Sequence, residues 1–229
     1  MKIGIMQPYF MPYFSYFKLI AMVDKFIILD DVNYHKKGWI NRNQILVRDN
    51  AYMLTLPLEA GSQNKKINEL NFSKDSNWQE KFLKTIKYNY RKAPQFENIF
   101  PLLEKIVRYE NLNTSEYISN SLLLVCNYLE IKTDIVSTSS TFNNVELSGE
   151  ARILDICNKN NCSEYFNLIG GENLYSHESF RKKNIDLKFL EKNDISYKQF
   201  NDKFIADLSI IDYLMFNERS LFYDHCGII

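Results

Sequence analysis

Apolar residues along the chain repeat with two different periods, and the change of period marks out the elements. Near the start, "KIGIM" (2–6) and "KFIILDD" (25–31) are short, apolar and rich in isoleucine, as strands covered on both faces are. Between them Tyr13, Phe14, Phe17, Leu19, Ile20 and Met22 recur at helical spacing behind Pro12, which suits a first helical turn. Strand, helix and strand make a βαβ unit, so the two strands are predicted to be parallel with a right-handed crossover. Further strands are predicted at 44–47, 51–58 and 66–70 ("QILV", "AYMLTLPL" and "KINEL").

The middle of the chain reads as helices. Ser76 and Gln79 fit a capping box ahead of "WQEKFLKTIKYNYRK". Pro94 opens "PQFENIFPLLEKIVRY", which Pro101 is expected to kink, and Asn113 or Thr114 caps "SEYISNSLLLVCNYLEI". The last third mixes a strand at 133–138, a helix at 149–160, a strand at 164–168, a turn at Gly170-Gly171, a helix at 176–183, a strand at 185–190 and a helix at 208–216. No repeat or Gly/Ser linker interrupts this order. The prediction is an α/β fold with a mostly parallel, Rossmann-like sheet in a single domain over 1–229. Within it, 1–72 form the βαβ-type start, 73–130 a helical segment, and 131–229 a mixed α/β third that completes the site.

Composition narrows the field. An apolar share of 45% with 24% charged residues over 229 positions is the balance of a globular chain rather than a disordered one. Lysine plus arginine and aspartate plus glutamate are 28 each, which argues against a whole-protein basic footprint for nucleic acid. The apolar run before Gln7-Pro8 is too short for a signal peptide, and "SLLLVC" (121–126) is far short of the roughly 20 residues a membrane helix needs. A cytoplasmic protein is therefore expected, with neither nucleic acid nor membrane as partner and with self-association left open. Cys126, Cys157, Cys162 and Cys226 form no C-x-x-C pair and are expected to be buried thiols rather than disulfides or metal ligands.

Ligands of open parallel sheets sit outside the carboxyl ends of the strands. Gln7 follows the first strand and Asp30-Asp31 end the second, so "QPYFMPYF" and the aspartates are expected to face one crevice. Gln7, Tyr9 and Phe10 precede a helix N-terminus, where an anion can rest. The aspartates could bind a divalent ion, take a proton from an amine or hold a hydroxyl pair. Next comes "HKKGWINRNQI": Lys36, Lys37 and Arg42 bring three positive charges, Asn41 and Asn43 offer donors and acceptors, and Trp39 a flat face. Arg42 can grip a phosphate with two parallel hydrogen bonds. Gly170, Gly171, Tyr175 and Gln199 are candidates to complete the site. Plainer alternatives are a strand end whose aspartates cap the next turn and a surface hairpin with a half-buried tryptophan. His35, His177 and His225 are scattered and match no metal or nucleophile motif.

In "IMQPYFMPYFSYFKLI", "VDKFIILDDVNYHKKGWINRNQI", "LTLPL", "YRKAPQF" and "LSIIDYLM" the chain resembles the WbqC-like family of bacterial proteins associated with surface-polysaccharide gene clusters. The resemblance runs nearly end to end. It implies a role in decorating sugar nucleotides for O-antigen or other lipopolysaccharide glycans, with transfer of glycine or another acyl group to an amino sugar as one proposal. By matching positions it marks Gln7, Tyr9, Asp30, Asp31, Trp39, Asn41, Arg42 and Asn43 as motif residues. Two stretches depart from the family pattern: "NLIGGENLY" lacks a serine-glycine opening and "FNERS" lacks a glycine. A looser likeness of shape links the start to nucleotidylyltransferase-like enzymes, whose paired-histidine motif is missing, with Gln7 where a histidine would stand.

The expectation is then a transferase that forms an amide on the amine of a nucleotide-linked amino sugar, dTDP- or UDP-bound. Arg42 and Lys37 would hold the diphosphate, Trp39 or Tyr9 would lie against base or sugar, and Asn41 and Asn43 would read hydroxyls. Asp30 or Asp31 would take the amine proton. The cofactor is left open, with ATP or an activated acyl donor compatible with the chemistry, and no metal is assigned. The alternatives are an ATP-dependent amide ligase of nucleotidylyltransferase-like fold, a thiol-based acyl transferase and a non-catalytic sugar-nucleotide binding protein.

Overall fold

The computed structural model describes residues 1–59, 64–74, 77–191 and 195–228. In chain order its elements begin with β1 (Lys2–Met6), α1 (Phe14–Met22), β2 (Lys25–Ile28), β3 (Arg42–Val47) and β4 (Asn50–Thr55). Three helices follow, α2 (Trp78–Tyr90), α3 (Phe96–Val107) and α4 (Thr114–Tyr128). The remainder is β5 (Asp134–Val136), α5 (Gly149–Lys159), β6 (Glu164–Leu168), α6 (His177–Arg181), β7 (Asp186–Leu190), α7 (Ile210–Phe216) and α8 (Leu221–Cys226).

Five strands pair in the order β5-β2-β1-β6-β7, every neighbour parallel. Alternation along them feeds two separate cores. Ile3, Ile5, Ile27, Tyr165 and Leu187 pack with Ile153, Ile156 and Phe180 of α5 and α6 on one face. Phe26, Ile28, Phe166 and Leu168 pack with α1 and the helical segment on the other. Gly4 belongs to this second side. A Cβ there would stand 3.2 Å from the Phe26 ring and 3.5 Å from Leu19, so the bare backbone is what lets α1 close on the sheet.

The predicted α/β class and mostly parallel sheet are what the structure has, with several differences in detail. β3 and β4 form an antiparallel hairpin apart from the main sheet. β2 stops at Ile28, which leaves Asp30 and Asp31 in the turn beyond it. The predicted strand at 66–70 is a 3-10 turn over Ile67–Glu69, because Glu69 reaches back to accept the Lys66 N–H at 2.9 Å and closes the chain on itself. Gly170 and Gly171 lie within a further 3-10 turn, Ile169–Leu174. Ser76 falls outside the described residues; Asn77 occupies the N-cap of α2, and Gln79 donates to the Val107 carbonyl at 2.8 Å. Asn113 caps α4 by accepting the Glu116 N–H at 3.2 Å. Pro101 sits inside α3 on its exposed side, and α8 is an element the apolar pattern did not predict. Among the described residues no helix is long and apolar enough to cross a membrane.

Candidate functional site

From β1 the chain works outward to β2 and β5, then returns to the other side of β1 for β6 and β7. The crossovers leave on opposite faces, α1 on one and α5 and α6 on the other. Loops after β1 and β6 therefore part, and parallel sheets open their crevice at such a reversal.

Three adjoining hollows occupy this edge. The first, of about 380 Å³, lies between the two loops and is lined by Gln7, Tyr9, Trp39, Asn167, Gly170 and Tyr175, with Gly171 beside them. The second, also about 380 Å³, shares Trp39 and Gly170 and adds Asn43, Leu190, Glu191 and Asp207. The third, about 270 Å³, continues from Asp207 to Phe14, Tyr197, Phe204 and Tyr213. Tyr13 lines all three, so they form one groove with that ring at its centre.

The hydrogen-bond pattern sorts the sequence-predicted residues into two groups. The Gln7 amide, the Tyr9 and Tyr13 hydroxyls and the Trp39 indole line the groove and have no hydrogen-bond partner among the described residues. Burial raises the pKa of Tyr9, and it pushes that of Tyr13 up to about 12 with help from Tyr9 and Asp207. Both phenols hold their protons at neutral pH and can donate. Gly170 leaves open space where a side chain would stand, whereas Gly171 packs against the Asn167 amide, which a Cβ would meet at 3.2 Å.

The second group is consumed internally. Asn41 accepts from the Tyr34 hydroxyl at 3.0 Å and donates to the Leu56 carbonyl at 2.7 Å. Asn43 donates to the carbonyls of Phe10 and Met11 at 3.2 and 2.8 Å, clamping a turn in which Met11 takes a left-handed φ of 43°. Asn43 also lines the second hollow. Phe10 is a core residue, packed on Phe82 and Tyr117. The Arg42 guanidinium closes on the carbonyls of Gly38 and Lys37 in its own loop, and Lys37 is exposed, so neither cation lines the groove. Among the described residues no lysine or arginine does.

Asp30 and Asp31 likewise turn away from the groove, against the expectation that they face it. Asp30 accepts from Ser115 at 2.7 Å, Thr138 at 2.8 Å and the Ser139 N–H at 3.0 Å. Asp31 pairs with Arg152 of α5 at 2.5 Å, both buried, and also accepts from Ser139. These carboxylates tie the end of β2 to the end of β5 and to α4 and α5. Their neighbours in space are more than 80 positions away in sequence, which is why no local spacing gives them away.

Gln199 also serves the scaffold. With Tyr90 and Tyr197 it donates to Asp212 of α7, at 2.6, 2.8 and 2.7 Å respectively. Asp212 is fully buried and, among the described residues, pairs with no cation; desolvation raises its pKa, while its three donors oppose the rise. An aspartate inside the apolar "LSIIDYLM" was the available signal for this cluster. Tyr13 and Asp207, the chief lining residues that spacing overlooked, gave no such sign. All four cysteines are buried and none lines the groove. Among the described residues no group of histidine, cysteine, aspartate and glutamate is arranged to hold a metal.

Comparison with known proteins agrees with the span of the sequence resemblance. A model of the WbqC-like protein family matches residues 7–222. An uncharacterized protein of Mycobacterium tuberculosis, Rv1507c, is 29% identical over 221 residues, which cover 94% of this chain and 93% of that protein. No solved structure matches the chain.

Proposed function

The chain belongs to the WbqC-like protein family, and from that premise we propose that it is a cytoplasmic enzyme of bacterial surface-polysaccharide synthesis that forms an amide on the amine of a nucleotide-linked amino sugar. The observation that supports this reading is the set of four unpaired polar groups, from Gln7, Tyr9, Tyr13 and Trp39, around a crevice at the switch point. Side chains that are not spent on the fold are available to a hydroxyl-rich ligand, and an aromatic face beside them suits a sugar ring. The Glu191 carboxylate in the described lining favours a ligand bearing an amine.

In this reading the sugar occupies the first hollow against Trp39, with Gln7 and Tyr9 on its hydroxyls. The diphosphate extends past Trp39 toward the exposed Lys36 and Lys37 rather than into the groove. The amine nitrogen attacks the carbonyl of an activated acyl donor, the bond from acyl carbon to leaving group breaks, and the amine proton passes to Glu191 or Asp207. The Tyr13 phenol donates to the oxygen that gains charge. Asp30 and Asp31 take no part in proton transfer here; they hold the loop that follows β2.

Titration calorimetry with UDP- and dTDP-linked amino sugars and their N-acetylated counterparts tests this. The free-amine form binds, and Trp39→Ala weakens it at least about tenfold, roughly 1.4 kcal/mol. Equal binding of amine and acetylated forms, or no binding of either, overturns the substrate class. Binding without product under any acyl donor, with or without ATP, makes the protein a sugar-nucleotide binding module instead.

A further inference from the structure

The third hollow differs in kind from the other two. Its wall is built of five aromatic rings, those of Tyr13, Phe14, Tyr197, Phe204 and Tyr213. The rings brace one another: Phe14 and Tyr213 stand 4.8 Å apart, Tyr197 and Phe204 4.9 Å at 74°, and Tyr197 and Tyr213 5.6 Å at 88°. Two of the three phenols present no hydroxyl of their own to a ligand. The Tyr197 hydroxyl is tied to buried Asp212, which does not line the hollow, and the Tyr213 hydroxyl meets His225 Nδ1 at 2.8 Å. A phenol that donates to a carboxylate is the more electron-rich for it, which strengthens the negative face of its ring. Asp207 carries the one formal charge among the described lining residues.

Space limits what can enter. At about 270 Å³ the hollow is smaller than the ~300 Å³ at the low end of pockets that take whole drug-sized molecules, so it suits a compact group. An uncharged apolar group would gain from the rings alone. A cation gains that burial and, beyond it, the pull of the ring faces, because a ring face attracts positive charge within about 6 Å of its centroid.

We propose that this hollow is a second ligand site, one that recognises a compact alkylammonium group. The site stands on its own cavity, whatever occupies the first hollow. Because Tyr13 and Asp207 also line the second hollow, a cation held here lies next to whatever the rest of the groove binds.

Choline and its uncharged carbon isostere 3,3-dimethyl-1-butanol differ chiefly in the positive charge, so titrating the full-length protein with each isolates the effect of that charge. Saturable choline binding in the millimolar range is expected, with the isostere about tenfold or more weaker. Phe204→Leu reduces choline binding severalfold. Phe204 is the ring to remove first, since Tyr197 is fastened to Asp212 and its loss would disturb the fold. Sugar-nucleotide binding, measured on Phe204→Leu, stays unchanged if the compartments are separate, and that readout keeps failure of this site apart from failure of the substrate reading. Equal affinity for the two probes, or no saturable choline binding, overturns the proposal, as does choline binding that persists in Phe204→Leu but is lost in Trp39→Ala.

Discussion

Tyr13 sits at the N-cap of α1, outside the helix proper, and this places its ring across the groove rather than in the core stripe that its spacing suggests. Its hydroxyl makes no bond to the described protein, so removing it takes nothing from the fold. Tyr13→Phe is expected to keep the unfolding free energy within about 0.5 kcal/mol of wild type, as for a substitution away from any packed or bonded feature. Turnover should fall by ~10²-fold, as when one donor to a developing oxyanion is lost. A fall in stability with unaltered turnover would reassign the hydroxyl to the scaffold. Residue types alone could not separate this tyrosine from the asparagines that were expected to read a ligand. Asn41, Asn43 and Arg42 have the chemistry for recognition, yet each is used up on backbone carbonyls supplied by a folded loop. Trp39 and Gln7 were identifiable from sequence because a polar loop gives an indole or an amide little to pack against, and both do line the first hollow.

At the scale of elements, the turn after β2 is positioned by α5 through one buried ion pair. Arg152 Nη2 meets Asp31 at 2.5 Å, its Nη1 reaches the Asp31 carbonyl at 3.3 Å, and its Nε is held by Asn144 at 3.0 Å. Replacing arginine by methionine preserves length and bulk but strands a carboxylate in the interior. Arg152→Met should cost ~3–5 kcal/mol in denaturant unfolding, and adding Asp31→Asn should restore a large part of it, because what hurts is the unpaired charge and not the missing contact. Additive losses in the double variant would refute that. Nothing in "ARILDIC" distinguishes Arg152 from a solvent-facing helix arginine, since its partner is 121 positions away. Elements defined by local chemistry fared better. β6 was predicted over its observed range, and α1 and α5 came within a residue or two. "KINEL" failed because a single glutamate, folding back on its own backbone, outweighed an apolar alternation too short to demand a partner strand.

For the whole molecule, the βαβ start and the later strand-helix alternation were enough to predict a parallel sheet, but not which strand returns beside β1, and the crevice depends on that choice. Pairing of β1 with β6 is a contact across more than 160 positions, fixed only when both cores close. The hairpin, the helical segment and the last third meet in the same long-range way at Asp212. Tyr90 of α2 receives the Leu46 N–H of β3 at 2.8 Å and passes its own proton toward Asp212 of α7, while Tyr197 and Gln199 bring the 195–205 segment onto the same carboxylate. Desolvation raises the Asp212 pKa above its ordinary 3.8, so between that value and the raised one the folded protein holds a proton that the unfolded chain has released. Stability from this group is then fully present below the unfolded pKa and falls as pH rises through the folded one, the reverse of a salt-bridged aspartate. Asp212→Asn carries no titrating group, so the stability difference, wild type minus variant, should decline with rising pH across that window and level off above it. Unfolding free energies of both proteins along a pH series give that difference directly, with every other titration cancelling. A difference that grows with pH would mean that the two tyrosines and the glutamine stabilise the ionised carboxylate by more than its burial costs, and the junction would then favour the charged form.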